Sequence, residues 1–221
     1  MTEPNSPEAA PAAPAAAPEG AQRAKKKTRG PREVHPVLHT LFELHPRLFG
    51  ARFLPLKLGI FEDLLAAHPD RLKPDELKVA LGLHTRSMRY LEAVASGLPR
   101  HDLKAQPVEP VAPEHVHHAI LELYRRKSAT PQEPAARQRA VTQLAQAIER
   151  SGLGRDGYRE RFGAGPEWAV GLLEEALMVI GQRSARVEAL RRAFQASGKT
   201  AEEFAEMYGL GVAEVKALAS A

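Results

Sequence analysis

The chain has 221 residues, a formal net charge of +4, no cysteine and 26% charged side chains. Disulfides, thiolate chemistry and cysteine-based metal sites are excluded, and no run of about 20 apolar residues is long enough to span a bilayer. The N-terminus lacks the charged-then-apolar order of a secretory signal, so the expected location is the cytoplasm, with no membrane partner.

Residues 1–22 are mostly Ala, Pro and Glu, without a bulky apolar side chain after Met1. That composition predicts a disordered tail. It runs into RAKKKTRGPR, where Arg23, Lys25, Lys26, Lys27, Arg29 and Arg32 place six positive charges in ten residues. Such an arm is drawn to phosphate backbones without reading sequence, or serves as a solubilising leader. Residues 1–33 are read as tail and arm together.

From Val34 the apolar spacing turns helical, punctuated by prolines, and predicts helices near 36–45, 56–68, 74–82, 85–96 and 113–127. Between the last two, RHDLKAQPVEPV (100–111) reads as a small hairpin. SATPQEPAAR (128–137) reads as a linker. Further helices are expected near 137–151, 166–181, 183–197, 200–208 and 211–220. The expected fold is mostly α: a compact helical domain over 34–127 with a small β-hairpin, followed by a separate all-α C-terminal module over 138–221. Residues 1–33, 34–130 and 131–221 carry net charges of +2, +2 and 0.

All nine histidines fall between His35 and His118. Only His115, His117 and His118 cluster, and on a helix His117 points away from the other two. No metal site and no cofactor are expected.

Two stretches of the central region carry the chemistry. In LPLKLGIFEDLL (54–65), seven of twelve residues are Leu, Ile or Phe, yet Lys57 stands beside Gly59. An unpaired ammonium cannot enter a core without a cost of several kcal/mol. Lys57 is therefore expected at a surface, with Gly59 allowing a close approach there. In TRSMRYLEAVASGLPR (85–100), a helical wheel puts Met88, Leu91 and Ala95 on a core stripe and Arg86, Arg89 and Tyr90 on the other side. Thr85 is read as the N-cap and Ser87 as a hydroxyl in the same first turn, a helix start able to receive a phosphate. Arg100 is expected at the base of the hairpin.

The succession PLKLGIFEDLL (55–65), ELKVAL (76–81), HTRSMRYLEAV (84–94), RHDL (100–103) and EHVHHA (114–119) resembles the FinO/ProQ domain of bacterial RNA chaperones, over about residues 37–127. The resemblance implies a compact helical domain with a hairpin that binds structured RNA, favouring a terminator-like stem followed by a single-stranded 3′ tail. It places backbone-contacting cations at Lys57 and Lys78, the arginine and tyrosine of the RYL motif at Arg89 and Tyr90, a basic residue opening the hairpin at Arg100, and polar pocket residues at Thr85 and Ser87. Arg86 on the same helix face and Lys25, Lys26 and Lys27 of the arm complete the expected RNA-binding set. Implied partners are small RNAs and mRNA 3′ ends, in post-transcriptional regulation. The chain departs from the family pattern at Gly82, at His84, at Met88, at Ile120 and Leu121, and in the hairpin turn Lys104-Ala105-Gln106-Pro107.

Towards the C-terminus, AEEFAEMYGLGVAEVKALAS (201–220) places Ala205, Gly209 and Val215 at the small, turn and apolar positions of a helix-turn-helix, over a core of Phe204, Leu210 and Leu218. Its second helix offers only Lys216 against Glu214, too few donors for a major-groove reader. A DNA-binding regulator is thus the alternative function, beside a module for protein contact or self-association built on Trp168, Leu172, Leu173, Leu177 and Ile180. No nucleophile elbow or phosphate-cradling glycine loop is present, and no enzymatic activity is expected.

Overall fold

The computed structural model describes residues 35–130 and 133–220. These are mostly helical, with one two-stranded antiparallel hairpin. The N-terminal arm, including Lys25, Lys26 and Lys27, lies outside the described residues.

The first helices start where the chain supplies its own caps. In α1 (Pro36–Leu44), His35 Nδ1 accepts from the Val37 N–H and Pro36 takes the first position, where a missing N–H costs nothing. A one-turn helix, α2 (Pro46–Phe49), follows and buries Leu48 and Phe49. Next, α3 (Ile60–Ala67) begins four residues later than its apolar run predicts, because Pro55 to Lys57 are extended rather than helical. Gly59 is its N-cap, at φ +78°. A Cβ there would meet nothing nearer than Glu62 Oε2 at 3.8 Å. Backbone conformation, not close approach, is what demands this glycine.

Helix α4 (Pro74–Thr85) starts on a proline followed by Asp75 and Glu76, suited to the positive end of the helix dipole. After α5 (Met88–Ala95) come β1 (Arg100–His101) and β2 (Pro107–Glu109), paired antiparallel. In the connecting turn Ala105 sits at φ +58°, while Asp102 Oδ1 accepts from the Lys104 and Gln106 N–H groups. The aspartate holds the turn without a glycine.

Among the described residues, one core cluster continues on both sides of the 128–137 stretch. Helix α6 (Pro113–Lys127) is followed within a few residues by α7 (Glu133–Ser151), which packs along it. The short α8 (Gly154–Phe162) was not anticipated, since Tyr158 is its one buried apolar residue and Gly152 and Gly154, both at φ +69°, bracket its start. The two helices expected over 166–181 and 183–197 are a single α9 (Glu167–Ser197). One buried cluster runs from Val37 and Leu41 through Leu77, Leu91 and Ile120 to Leu144, Leu172, Leu173, Leu177 and Ile180. A second, smaller one joins the far end of α9 to α10 (Ala201–Tyr208) and α11 (Val212–Ser220) through Phe204, Ala205 and Val215. Between the two clusters, the side chains of Gln182 to Ala189 are exposed, with Arg183 paired to Glu149 at 3.2 Å.

Candidate nucleic-acid interface

Residues 55–57 form a strap across the mouth of the hairpin. The His101 N–H donates to Pro55 O at 2.8 Å and the Lys57 N–H to His101 O at 2.9 Å, so the strap adds an extended third segment beside β1. The Leu56 side chain anchors it in the core.

Leu56 is bracketed by two of the residues expected to grip RNA. Its N–H donates to Tyr90 Oη at 3.1 Å, and its carbonyl accepts from Arg100 Nη1 at 2.9 Å. Tyr90 is 8% exposed rather than outward-facing, because the hydroxyl finds its partner inside. Burial raises its pKa, against the lowering effects of the Leu56 N–H and the Arg100 charge. The Arg100 side chain is only 12% exposed and lies 3.8 Å from Glu109. Its Nη2 donates to His115 Nδ1 at 3.1 Å. Both residues therefore build the strap. Tyr90→Phe strands the buried Leu56 N–H, and a loss of about 1–3 kcal/mol is expected in chemical denaturation.

Lys57 emerges from the strap at the surface, as expected, but paired. Its Nζ lies 2.6 Å from Asp63 Oδ2, with the lysine side chain 39% exposed. The hydrogen bond it donates to Asp63 raises the ammonium pKa, and the charges of Asp63, Asp102 and Glu109 act the same way. An exposed pair of this kind is weak because water screens it, so an incoming phosphate can replace Asp63 at small cost.

The other expected residues occupy neighbouring turns. Thr85 is not an N-cap: it ends α4, and its hydroxyl donates to Leu81 O at 2.9 Å. Ser87 caps α5 instead, accepting from the Tyr90 N–H. The Arg86 side chain folds back onto Gly82 O at 2.7 Å, and its carbonyl accepts from Arg126. Arg89 is exposed, donates to Ala51 O and lies over the Phe53 ring, 4.4 Å from its centroid. Lys78 stands exposed on α4 without a hydrogen bond or ion pair among the described residues. The structure thus brings Lys57, Tyr90 and Arg100 together at the strap, sets Thr85, Arg86 and Ser87 at the α4–α5 junction, and directs Arg89 towards Phe53. Phe53, His84 and the strap backbone escape sequence reasoning; the available signal was an imidazole at a core position of α4.

His84 is 3% exposed, ringed by Phe49, Phe53 and Tyr90, and its Nε2 has no hydrogen-bond partner among the described residues. Burial first, and the Arg89 charge second, lower its pKa to about 4. His117, the middle histidine of the 115–118 cluster, is also buried. It bonds Tyr158 Oη at 3.1 Å and stacks on Phe162. At the other end of the chain Lys216 of α11 pairs with Glu202 at 2.9 Å.

The sequence pattern of the ProQ/FINO family matches residues 31–136, a span that contains the strap, the hairpin and every described residue of the expected RNA-binding set. Through this stretch the chain belongs to the ProQ/FINO family. It is 34% identical over 115 residues to "RNA chaperone ProQ" of Shewanella frigidimarina, covering 47% of this chain and 57% of that protein. With the protein of the same name from Shewanella oneidensis it is 37% identical over 91 residues, 39% of this chain and 43% of the relative. The chain thus spans about half the length of the curated relatives it matches. The crystal structure of a FinO-like RNA chaperone from Neisseria meningitidis is 30% identical, covering 43% of this chain and 89% of that one, with a TM-score of 0.35. No helix among the described residues is long and apolar enough to cross a membrane.

Proposed function

We propose that this protein is an RNA-binding chaperone that holds a base-paired stem beside an unpaired 3′ tail, through the ProQ/FINO-family domain. The observation that carries the reading is the family match over residues 31–136, and the relatives named RNA chaperones support it. A-form duplex hides its base edges in a deep major groove, so recognition rests on shape, phosphates and 2′ hydroxyls, with selectivity from the unpaired end.

In this reading Lys57 exchanges Asp63 for a phosphate, and Lys78 and Arg89 add further backbone contacts. Tyr90 and Arg100 act from beneath, by fixing the strap that aims Lys57. Thr85, Arg86 and Ser87 frame the junction at which the tail leaves the stem, and Lys25, Lys26 and Lys27 add non-specific attraction. The natural partners are small RNAs and mRNA 3′ ends, and the setting is the cytoplasm.

The test is a titration of the full chain against a stem with a U-rich 3′ tail over a series of salt concentrations. Tight binding that falls with salt, at a slope of about −0.7 to −0.9 per phosphate contacted, is the expected result. Lys57→Ala should reduce that slope by about one contact and weaken binding several-fold. No complex at low salt rejects the reading.

A further inference from the structure

We propose that the cleft between α1 and His84 is a pocket for one unpaired nucleobase, separate from the strap. The proposal rests on the RNA-binding reading above. The cleft has a volume of about 320 Å³ and is lined by Leu38, His39 and Phe42 of α1, Phe49 of α2, Phe53, and His84 of α4. Half of this lining is phenylalanine, and two of the remaining residues are histidines.

The ring geometry suits a flat aromatic guest. Phe53 and Phe49 hold the His84 ring at centroid distances of 4.4 and 4.9 Å. Phe42 forms an outer wall and is 50% exposed. A large aromatic ring left half in water beside an apolar cleft offers a base a face to stack on, and every base has a π-face to match.

Two further observations narrow the guest. His84 brings a ring nitrogen that lacks a partner, and such a buried group gains when a ligand supplies one. Among the described residues no carboxylate lines the cleft, and the Arg89 guanidinium lies on the Phe53 ring at its edge. A cationic guest, the usual tenant of an aromatic cage, would be repelled by that arginine. A nucleotide gains from it, because Arg89 can meet the phosphate attached to the stacked base.

The experiment uses the full chain and a stem carrying a short unpaired tail, with 2-aminopurine substituted at successive tail positions. Stacking should quench the fluorophore at one position, and Phe42→Ala should abolish the quenching and weaken the tailed RNA by about five- to thirty-fold. Binding to the blunt duplex should be unchanged, and Phe42→Trp should restore both signals. Because Phe42 is half exposed, the melting temperature of the variant shows whether its fold is intact. Unchanged quenching and affinity in Phe42→Ala, or equal weakening of tailed and blunt RNA, overturns the pocket while leaving the RNA-binding reading in place. Failure of the wild-type chain to bind either RNA overturns both.

Discussion

Lowering the pH from 6.5 to 4 should remove about 3 kcal/mol of stability for each of two buried imidazoles, His84 and His117. Both have pKa values lowered to about 4, by burial first and a neighbouring positive group second, whereas an unfolded histidine titrates near about 6.5. Between those values the unfolded chain binds more protons than the folded one, so stability falls as pH falls. The contribution is complete above about pH 6.5 and lost by about pH 4. At about 1.4 kcal/mol per pH unit, the gap gives the stated amount for each ring. Urea titrations at successive pH values would show the descent. His84→Phe should remove one of the two contributions and, by deleting an unpartnered buried nitrogen among aromatic rings, should not weaken the protein at pH 7.5. A pH profile identical to that of the wild type would mean that His84 does not report on folding.

Truncation after residue 130 should be similarly costly. Helix α7 covers the face of α6 that carries Val116, Ile120 and Leu123, and contributes Ala140, Val141, Leu144 and Ile148 to the same cluster. Polar ties reinforce the packing. Tyr124 donates to Glu133 at 2.8 Å, and Arg150 donates to Ser96 O at 2.7 Å. Each large side chain returned to water costs about 1.5–3 kcal/mol, so the loss approaches the 5–15 kcal/mol by which a whole domain is typically stable. A fragment of residues 34–130 is expected to melt far below one of residues 34–181, or without a cooperative transition, when followed by circular dichroism. Equal midpoints would show that α6 needs no cover.

The contrast between these expectations and the sequence reading has a physical origin. Pro36, Pro74 and Pro113 announced their helices because proline costs nothing at a first helical position, and the hairpin was legible from the interruptions around it. The 128–137 stretch reads as a linker because its prolines and small polar residues carry no hydrophobic period, while buried residues on both sides of it belong to one cluster. Alanines at 136 and 140 nonetheless let α7 approach α6 closely, and a stripe of alanine carries little signal in a hydrophobicity pattern. At the site, Lys57 and Arg89 were found at the surface because charge alone sends them there. Tyr90 was placed outside because periodicity treats a phenol as amphipathic, and only the extended strap shows that the hydroxyl has a backbone N–H to meet within. The Pro55–Lys57 pairing is long-range in sequence, and local pattern cannot reveal it.

The exposed middle of α9 also fixes how its far end is carried. Along Gln182 to Ala189 the side chains are exposed, yet Arg183 pairs with Glu149 and the stretch shares a cleft with Glu214, Ala217 and Leu218 of α11, so it is a shaft against which the last helix of the small terminal cluster rests. One amino acid inserted there would swing that cluster by about 100° and push it out by about 1.5 Å. A change of length there would therefore re-aim the end of the molecule only by also shifting the contacts of α11.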